Sequence, residues 1–393
     1  MVARVVAPRI IEIGAGARER ASAILKQLGL RRPLVVTDKF IGSQGWIDQL
    51  VAALHKEGIE AGIFDDAMPD PTSDSIDAGV ERFKQGKHDS VIGFGGGSAI
   101  DTAKSIAVLA KLGATIADYR APKQTDTPGM PIIAVPTTAG TGSEATRFAV
   151  VTDSRTGEKM LCAGMAFLPI AALVDFELTL TMPRRLTADT GIDTLTHAIE
   201  AYVSVKASPF TDMLALSTMR LVKTHLRQAY SHPDDRAARE GMMLAAMQGG
   251  LAFSNSSVAL VHGMSRPLGA FFHVPHGLSN AMLLPTVTRF SVSGAMARYA
   301  DCARTLGAAT PEQDDSSAVA CLLRYLDELN RELTVPTPQV YGIDEKRYRA
   351  VGQTMAEQAL ASGSPANNPR VPTAAEIVML YEQAYSANGQ TTV

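Results

Sequence analysis

The spacing of apolar and polar positions changes once along this chain. Up to about residue 180, short apolar runs alternate with helical patterns. Arg32–Phe40 (RPLVVTDKF), Ile59–Ala67 (IEAGIFDDA), Ser90–Ser98 (SVIGFGGGS) and Pro131–Thr138 (PIIAVPTT) read as strands. Between them, Asp48–Gly58, Ser73–Gly86 and Ala99–Leu112 read as helices. Strands alternating with helices predict a parallel, doubly wound sheet. After about residue 185 a 3.6-residue period takes over in segments 187–204, 208–229, 236–254, 257–270, 278–290, 292–306, 314–332, 344–361 and 373–386. This half is expected to be nearly all helix. The expected domains are residues 1–184, α/β, and 185–393, all-α, with the break near Met182–Arg185. The cleft between two such halves is the default ligand site. No repeat of 20–50 residues and no low-complexity segment interrupts the pattern.

Composition narrows the class. Of 393 residues, 46% are hydrophobic and 20% charged, as in ordinary globular proteins, so a large core needs no staples. A formal net charge of -3 offers no basic field for nucleic acid. Cys162, Cys302 and Cys321 stand far apart without a CxxC pair, which argues against a thiolate cluster and fits a reducing compartment. The opening MVARVVAPRIIEIGAGA lacks a signal-peptide layout, being broken by Arg4, Pro8 and Arg9. The longest apolar run, Met160–Val174, contains Pro169 and falls short of the roughly 20 residues of a spanning helix. A cytoplasmic protein with no membrane partner is expected.

Three segments carry nucleotide chemistry. GFGGGSAIDTAK (Gly93–Lys104) follows an apolar strand and opens a helix. Gly95, Gly96 and Gly97 let backbone N–H groups approach a phosphate, the helix start behind them favours negative charge, and Ser98 adds a hydroxyl. The segment matches neither a P-loop nor a complete GxGxxG, so a plain flexible turn is the alternative. Asp38, in VVTDKF, ends an early strand where a carboxylate can accept from ribose hydroxyls and repel a 2′-phosphate, favouring NAD over NADP. PTTAGTGSEAT (Pro136–Thr146) sets Thr137, Thr138, Thr141 and Ser143 among glycines, as a ribose and pyrophosphate loop or a self-bonded polar turn. Lys159 can meet a ribose or carboxamide oxygen, or be a surface lysine.

A second chemistry lies later. In GIDTLTHAIEAY (Gly191–Tyr202), Ile192, Leu195, Ala198, Ile199 and Tyr202 are spaced for burial, while Asp193, His197 and Glu200 share one helical face. Asp193 and His197, at i and i+4, can grip one divalent cation. Further ligands are at hand in VHGMSRPLGAFFHVPHGLSNA (Val261–Ala281), which gathers His262, His273 and His276 out of eight histidines in the chain. His262 and His276 are each followed by glycine, where a sharp change of direction is easy. An Asp-His-His-His set suits Fe(II), Zn or a similar ion with a position open to substrate oxygen. Separate core or capping histidines are the plain alternative.

GGGSAIDTAK, PTTAGTGSEAT, GIDTLTHAIEAY and VHGMSRPLGAFFHVPHGLSNAMLLP, in this order, resemble the iron-dependent (group III) alcohol dehydrogenases over the whole length, including the late NNPRVPTAAEIVMLYEQAY (Asn367–Tyr385). The resemblance implies a dehydroquinate synthase-like architecture: an α/β NAD-binding domain, then a helical metal-binding and substrate domain. It places the metal ligands on Asp193, His197, His262 and His276, leaving Glu200 out. It places nucleotide contacts on Asp38, Gly95, Gly96, Gly97, Ser98, Asp101, Thr137, Thr138 and Lys159, with Leu178 near the adenine. It implies NAD and one divalent metal, Fe(II) ahead of Zn, acting on a small alcohol or aldehyde in a homodimer.

One departure stands out. Several relatives carry a histidine where this chain has Arg266, and arginine cannot shuttle protons at neutral pH. His273 nearby is the expected substitute, or a water and ribose hydroxyl. Arg147 follows the PTTAGTGSEAT loop. Two arginines suggest an anionic substrate group, as in a maleylacetate or hydroxy acid semialdehyde reductase. The alternative is internal ion pairs, for instance with Glu144 or Asp153. A dehydroquinate synthase-like lyase and a catalytically silent nucleotide-binding protein are the remaining readings.

Overall fold

The computed structural model describes Arg4–Ser386. Met1–Ala3, where the stretch without a signal-peptide layout begins, and Ala387–Val393 lie outside the described residues. Two compact units divide between Thr181 and Met182.

The first unit runs β1 (Ile10–Ile13), α1 (Ala21–Gln27), β2 (Pro33–Val36), α2 (Lys39–Gly42), α3 (Trp46–Lys56), β3 (Gly62–Phe64), α4 (Ser73–Gln85), β4 (Ser90–Gly95), α5 (Gly97–Leu112), β5 (Ile132–Pro136), β6 (Phe148–Thr152), β7 (Lys159–Ala163) and β8 (Ala171–Val174). Six strands form a parallel sheet in the order β1-β8-β5-β4-β2-β3, and β6 and β7 pair as an antiparallel hairpin. Successive strand residues face opposite sides. Leu34, Val36, Val91 and Ile132 join one core with Ile76 of α4 and Val108 of α5. Val35, Ile92, Phe94 and Ile133 join the other with Leu25 of α1 and Leu54 of α3. Burial on both faces is why these strands read as continuous apolar runs. Each fully buried Leu, Ile or Phe contributes about 1.5–3 kcal/mol.

The chain steps from β2 outward to β3, then returns to place β4 on the other side of β2. At such a reversal the carboxyl ends of neighbouring strands leave a crevice. Here those ends are in register, with Val36 opposite Gly93 and Gly95 opposite Pro136.

Some strands escaped the pattern. β1 sits in a run broken by Pro8 and Arg9. The apolar run Met160–Val174 holds most of β7 and all of β8, divided at Gly164. Gly164 has φ +133°, and a Cβ there would fall 2.2 Å from the Thr125 carbonyl oxygen, so only glycine fits.

The second unit is helical: α6 (Arg184–Val203), α7 (Pro209–Ser231), α8 (Arg236–Asn255), α9 (Leu260–Phe272), α10 (His276–Ser291), α11 (Met296–Thr305), α12 (Asp315–Glu332), α13 (Pro338–Tyr341), α14 (Glu345–Ala361) and α15 (Ala374–Tyr385). Side-chain N-caps start many of them. Ser208, Asp235, Asp314, Asp344 and Thr373 each accept a backbone N–H three residues on. Such a cap contributes about 1 kcal/mol.

α6 departs from the amphipathic expectation. From Thr187 to Val203 every residue is buried, polar ones included. It packs against α7, α8 and α10. Gly191 lets α7 come close, since a Cβ there would lie 2.2 Å from Leu226 Cδ1. Thr190, Thr194 and Thr196 satisfy their buried hydroxyls on carbonyls four residues back. Among the described residues no helix is long and apolar enough to cross a membrane.

Candidate metal centre and nucleotide turn

Asp193 and His197 from α6, His262 from α9 and His276 from the first turn of α10 each offer one ligand atom, and these atoms lie within 4.8 Å of one another. Asp193 Oδ1 is 3.7 Å from His197 Nε2, 3.5 Å from His262 Nε2 and 3.8 Å from His276 Nε2. Three members are buried. The His276 side chain is 43% exposed, so the centre is open on that side. His197 stacks on His262, ring centroids 4.6 Å apart, with Phe253 against its ring at 4.4 Å.

The glycines after the histidines serve packing rather than changes of direction, since both lie inside helices. A Cβ on Gly263 would come 2.7 Å from Pro365 Cγ, and one on Gly277 would come 2.7 Å from the Asp189 carbonyl oxygen. The reversal between α9 and α10 falls on His273, at φ 55°, followed by Pro275.

Glu200 organises the centre without being a ligand. Its Oε2 accepts from His262 Nδ1 at 2.6 Å and from Ala259 N at 2.8 Å, and its Oε1 accepts from Val261 N at 2.6 Å. With Nδ1 spent, His262 presents Nε2 to the cluster. Asn280, one turn beyond His276, places Nδ2 at 2.6 Å from Asp193 Oδ1, 3.1 Å from His262 Nε2 and 3.3 Å from His276 Nε2. Its Oδ1 is buried without a partner.

Burial works against charge on Asp193, yet the facing imidazoles of His197, His276 and His262 outweigh it and hold the carboxyl well below the usual range. Burial also opposes charge on His262, but Glu200 and Asp193 raise its pKa overall. A carboxylate and three imidazoles converging in a buried site, with an orphaned amide oxygen beside them, fit a divalent cation.

In the first unit, Gly96 is the N-cap of the sixteen-residue α5 with no side-chain cap, so the first backbone N–H groups of that helix stay uncovered by side chains. Gly95 has φ +155°, and its Cβ would meet Ala99 Cβ at 2.7 Å; a Cβ on Gly97 would meet Thr141 Cγ2 at 2.8 Å. Asp38 caps α2, its Oδ1 accepting from Ile41 N at 2.9 Å. Its Oδ2 lies 3.6 Å from where a Cβ on Gly95 would stand. Thr137 N donates to the Gly95 carbonyl at 3.0 Å. Ser98 Oγ bonds the Pro69 carbonyl, and Lys159 Nζ donates to Asp70 Oδ1 at 2.7 Å. The bare helix start and a cradle that side chains would fill suit a pyrophosphate, with an acidic neighbour for a ribose.

Behind this turn lies an internal network. Asp101 Oδ1 accepts from Ser143 Oγ at 2.7 Å and its Oδ2 from Val150 N at 2.9 Å. Lys104, fully buried, donates to Ser143 Oγ at 2.8 Å, the Thr146 carbonyl at 3.1 Å and the Phe148 carbonyl at 2.7 Å. Burial pulls Lys104 down to about 8, against the pull of Asp101 and Glu144. Burial pushes Glu144 up to about 7, and its Oε1 has no hydrogen-bond partner.

Comparison with known proteins decides the family. Residues 8–176 match the model of iron-containing alcohol dehydrogenases, and residues 187–385 match the C-terminal model of the Fe-containing alcohol dehydrogenase family. The chain belongs to the iron-containing alcohol dehydrogenases. It is 35% identical over 373 residues to the NAD-dependent methanol dehydrogenase of Bacillus methanolicus, covering 95% of this chain and 97% of that one. It is 38% identical over 392 residues to long-chain-alcohol dehydrogenase 1 of Geobacillus thermodenitrificans, covering 98% and 97%. A crystal structure of 1,3-propanediol oxidoreductase superposes with a TM-score of 0.94 at 33% identity, covering 98% of this chain and all of that one. The parallel α/β unit and the helical unit carry the dehydroquinate synthase-like architecture of these dehydrogenases.

In this iron-containing alcohol dehydrogenase, several residues of the expected sites carry contacts that the motifs do not announce. Asp101 gives each carboxylate oxygen an internal bond and so fixes the loop after β5. Leu178 is a core side chain, 1% exposed, packed with Val35 and Ile92. His273 is exposed at the end of α9; among the described residues no hydrogen bond, ion pair or ring contact joins it to the cluster. Arg147 lies over the Phe148 ring at 5.7 Å, and Asp153 turns to Arg155 instead. Arg266 donates to Ser364 Oγ at 3.1 Å and, among the described residues, pairs with no carboxylate. Sequence reasoning missed Asn280 and Lys104, and it took Glu144 only as a partner for an arginine. For Asn280 the signal was present, since it stands four residues after His276.

Proposed function

We propose that this iron-containing alcohol dehydrogenase interconverts a small alcohol and its aldehyde with NAD(H) and one divalent metal, Fe(II) first and Zn as the alternative. The carrying observation is the Asp193, His197, His262 and His276 cluster. A cation held there supplies Lewis-acid polarisation of the substrate oxygen, and a bound nicotinamide accepts or donates the hydride. Asp193 and the three imidazoles hold the cation. Glu200 aims His262, and Asn280 steadies Asp193. The open side at His276 admits the substrate. Arg266, pulled only to about 10 by burial, stays charged at neutral pH, so the alcohol proton exchanges with water.

On the nucleotide side, the N–H groups of Gly95, Gly96, Gly97 and Ser98 bind the pyrophosphate. Thr137, Thr138 and Lys159 line the loop beside it. Asp38 Oδ2 accepts from ribose hydroxyls and disfavours a 2′-phosphate, so NAD is used ahead of NADP. The family resemblance and the isolated cysteines also lead us to read the protein as a cytoplasmic homodimer, testable by fractionation and sedimentation.

The test is NADH absorbance on chelated protein reconstituted with single metals, across neutral and acidic aldehydes. NADH is expected to fall with metal and aldehyde together. No turnover with any metal would sink the reading. Substrate consumption without net NADH change would favour the lyase.

A further inference from the structure

Among the described residues Arg266 has no carboxylate in ion-pair contact, and it stands one helical turn from a metal ligand. It follows His262 by four residues on α9, so the two share a face with Cβ atoms about 5–6 Å apart. A guanidinium carries five N–H donors in a planar fork. The one hydrogen bond made is to Ser364 Oγ, and no ion pair joins Arg266 to any carboxylate among the described residues. Glu200 is the one charge that acts on it from nearby. Both Glu200 oxygens are already taken by Ala259, Val261 and His262.

Other arginines of the helical unit show what a satisfied one looks like. Arg298 bonds Asp212, and Arg370 bonds Glu376. Arg239, fully buried, has three oxygen partners: the Pro233 carbonyl, Thr187 Oγ1 and the Met182 carbonyl. Arg266 has neither arrangement. Arg266 is part-buried, and no nitrogen of it is sealed away without a partner. The group is also held in place. Ser364 precedes the turn Pro365–Asn367, which packs on Gly263, and Asn367 ties that turn to Ser257 Oγ at 2.7 Å. Burial lowers the Arg266 pKa only to about 10, so the charge persists at neutral pH.

A preorganised, under-partnered guanidinium beside a metal centre is a receptor for a bidentate anion. We propose that Arg266 binds an acid group at the far end of the substrate, so that the preferred substrates are short aldehyde acids and hydroxy acids, carboxylates or sulfonates, ahead of neutral alcohols. This inference rests on the metal-dependent hydride transfer proposed above. The other anion available is a phosphate of the cofactor, which the test separates.

The test compares kcat/KM of the metal-reconstituted enzyme for 3-oxopropanoate, 4-oxobutanoate and 5-oxopentanoate, each against the unbranched aldehyde of equal length. At least one acid is expected to exceed its neutral match by about tenfold or more, the size of one charge-assisted hydrogen bond. In Arg266→Met that ratio falls toward one, and Arg266→Lys keeps part of it. A wild-type enzyme that prefers every neutral aldehyde overturns the inference, whether or not the variants fold. So does a variant with weaker NADH binding by fluorescence and an unchanged acid-to-neutral ratio, which assigns Arg266 to the cofactor. Turnover of neutral aldehydes without acid preference overturns this inference alone. No turnover of any aldehyde with any metal overturns the proposed function as well.

Discussion

Glu200 Oε2 accepts the Nδ1–H of His262 at 2.6 Å, so a carboxylate on α6 aims an imidazole on α9. The same carboxylate takes the backbone N–H groups of Ala259 and Val261, where α9 begins without a side-chain cap of its own. One side chain thus starts a helix and points its ligand. Removing such an outer partner typically costs 10–100-fold in metal affinity. Glu200→Ala is expected to weaken metal binding by roughly that factor in a chelator competition, and Glu200→Gln by less. An unchanged dissociation constant would remove Glu200 from the account of the centre.

Asn280 bridges Asp193, His262 and His276 through one amide nitrogen. Replacing it with the similarly sized leucine removes the donor that holds Asp193 Oδ1. Asn280→Leu is expected to release metal about tenfold faster when a chelator is added. Release at the wild-type rate would make Asn280 a packing residue only.

Lys104 is the fastening of the nucleotide turn. It joins α5 to the loop after β5 and to the start of β6 through buried oxygens. Lys104→Met leaves those oxygens unpaired and Asp101 without its cation. The expected loss is about 3–5 kcal/mol. The single tryptophan, Trp46 in α3, reports unfolding of this unit by fluorescence. Weaker NADH binding should accompany the loss. A midpoint in urea equal to wild type would contradict the role.

Glu144 makes stability depend on pH. Its folded pKa, raised to about 7 by burial, stands above the ordinary 4.5, so the folded state binds more protons in that window. Stability is therefore full below about pH 4.5 and falls as pH rises through about 7, by about 3 kcal/mol at most. Lys104 runs the other way: pulled down to about 8 from 10.5, it lets stability rise between those values. Glu144→Gln should flatten the lower window, giving a variant more stable than wild type at pH 8 but not at pH 5. Equal pH profiles for the two proteins would refute the assignment.

Much of this was legible in the sequence, for identifiable reasons. Central strands such as Val91–Phe94 are buried on both faces and announce themselves as apolar runs. The long helices carry their period and their caps, as at Ser208 and Thr373. Asp193, His197, His262 and His276 were legible because few residue types bind metals and the family motifs hold them in order. What stayed hidden depends on contacts distant in sequence. Glu200 looked like the third member of a polar stripe, yet its partners lie some sixty residues on. The bond between Asp101 and Ser143 and the packing of Leu178 with Val35 and Ile92 also join residues far apart in the chain. β1 was missed because Pro8 and Arg9 break its run, and β7 and β8 because one apolar run carries both up to the turn at Gly164.

The central claim is that Asp193, His197, His262 and His276 form one metal centre. The direct measurement is metal stoichiometry by elemental analysis after Fe(II) loading, in wild type, Asp193→Ala and His197→Ala, with NADH binding measured in each. One ion per chain is expected in wild type and almost none in either variant, with NADH still bound by both. An ion retained at wild-type stoichiometry in either variant would contradict the claim.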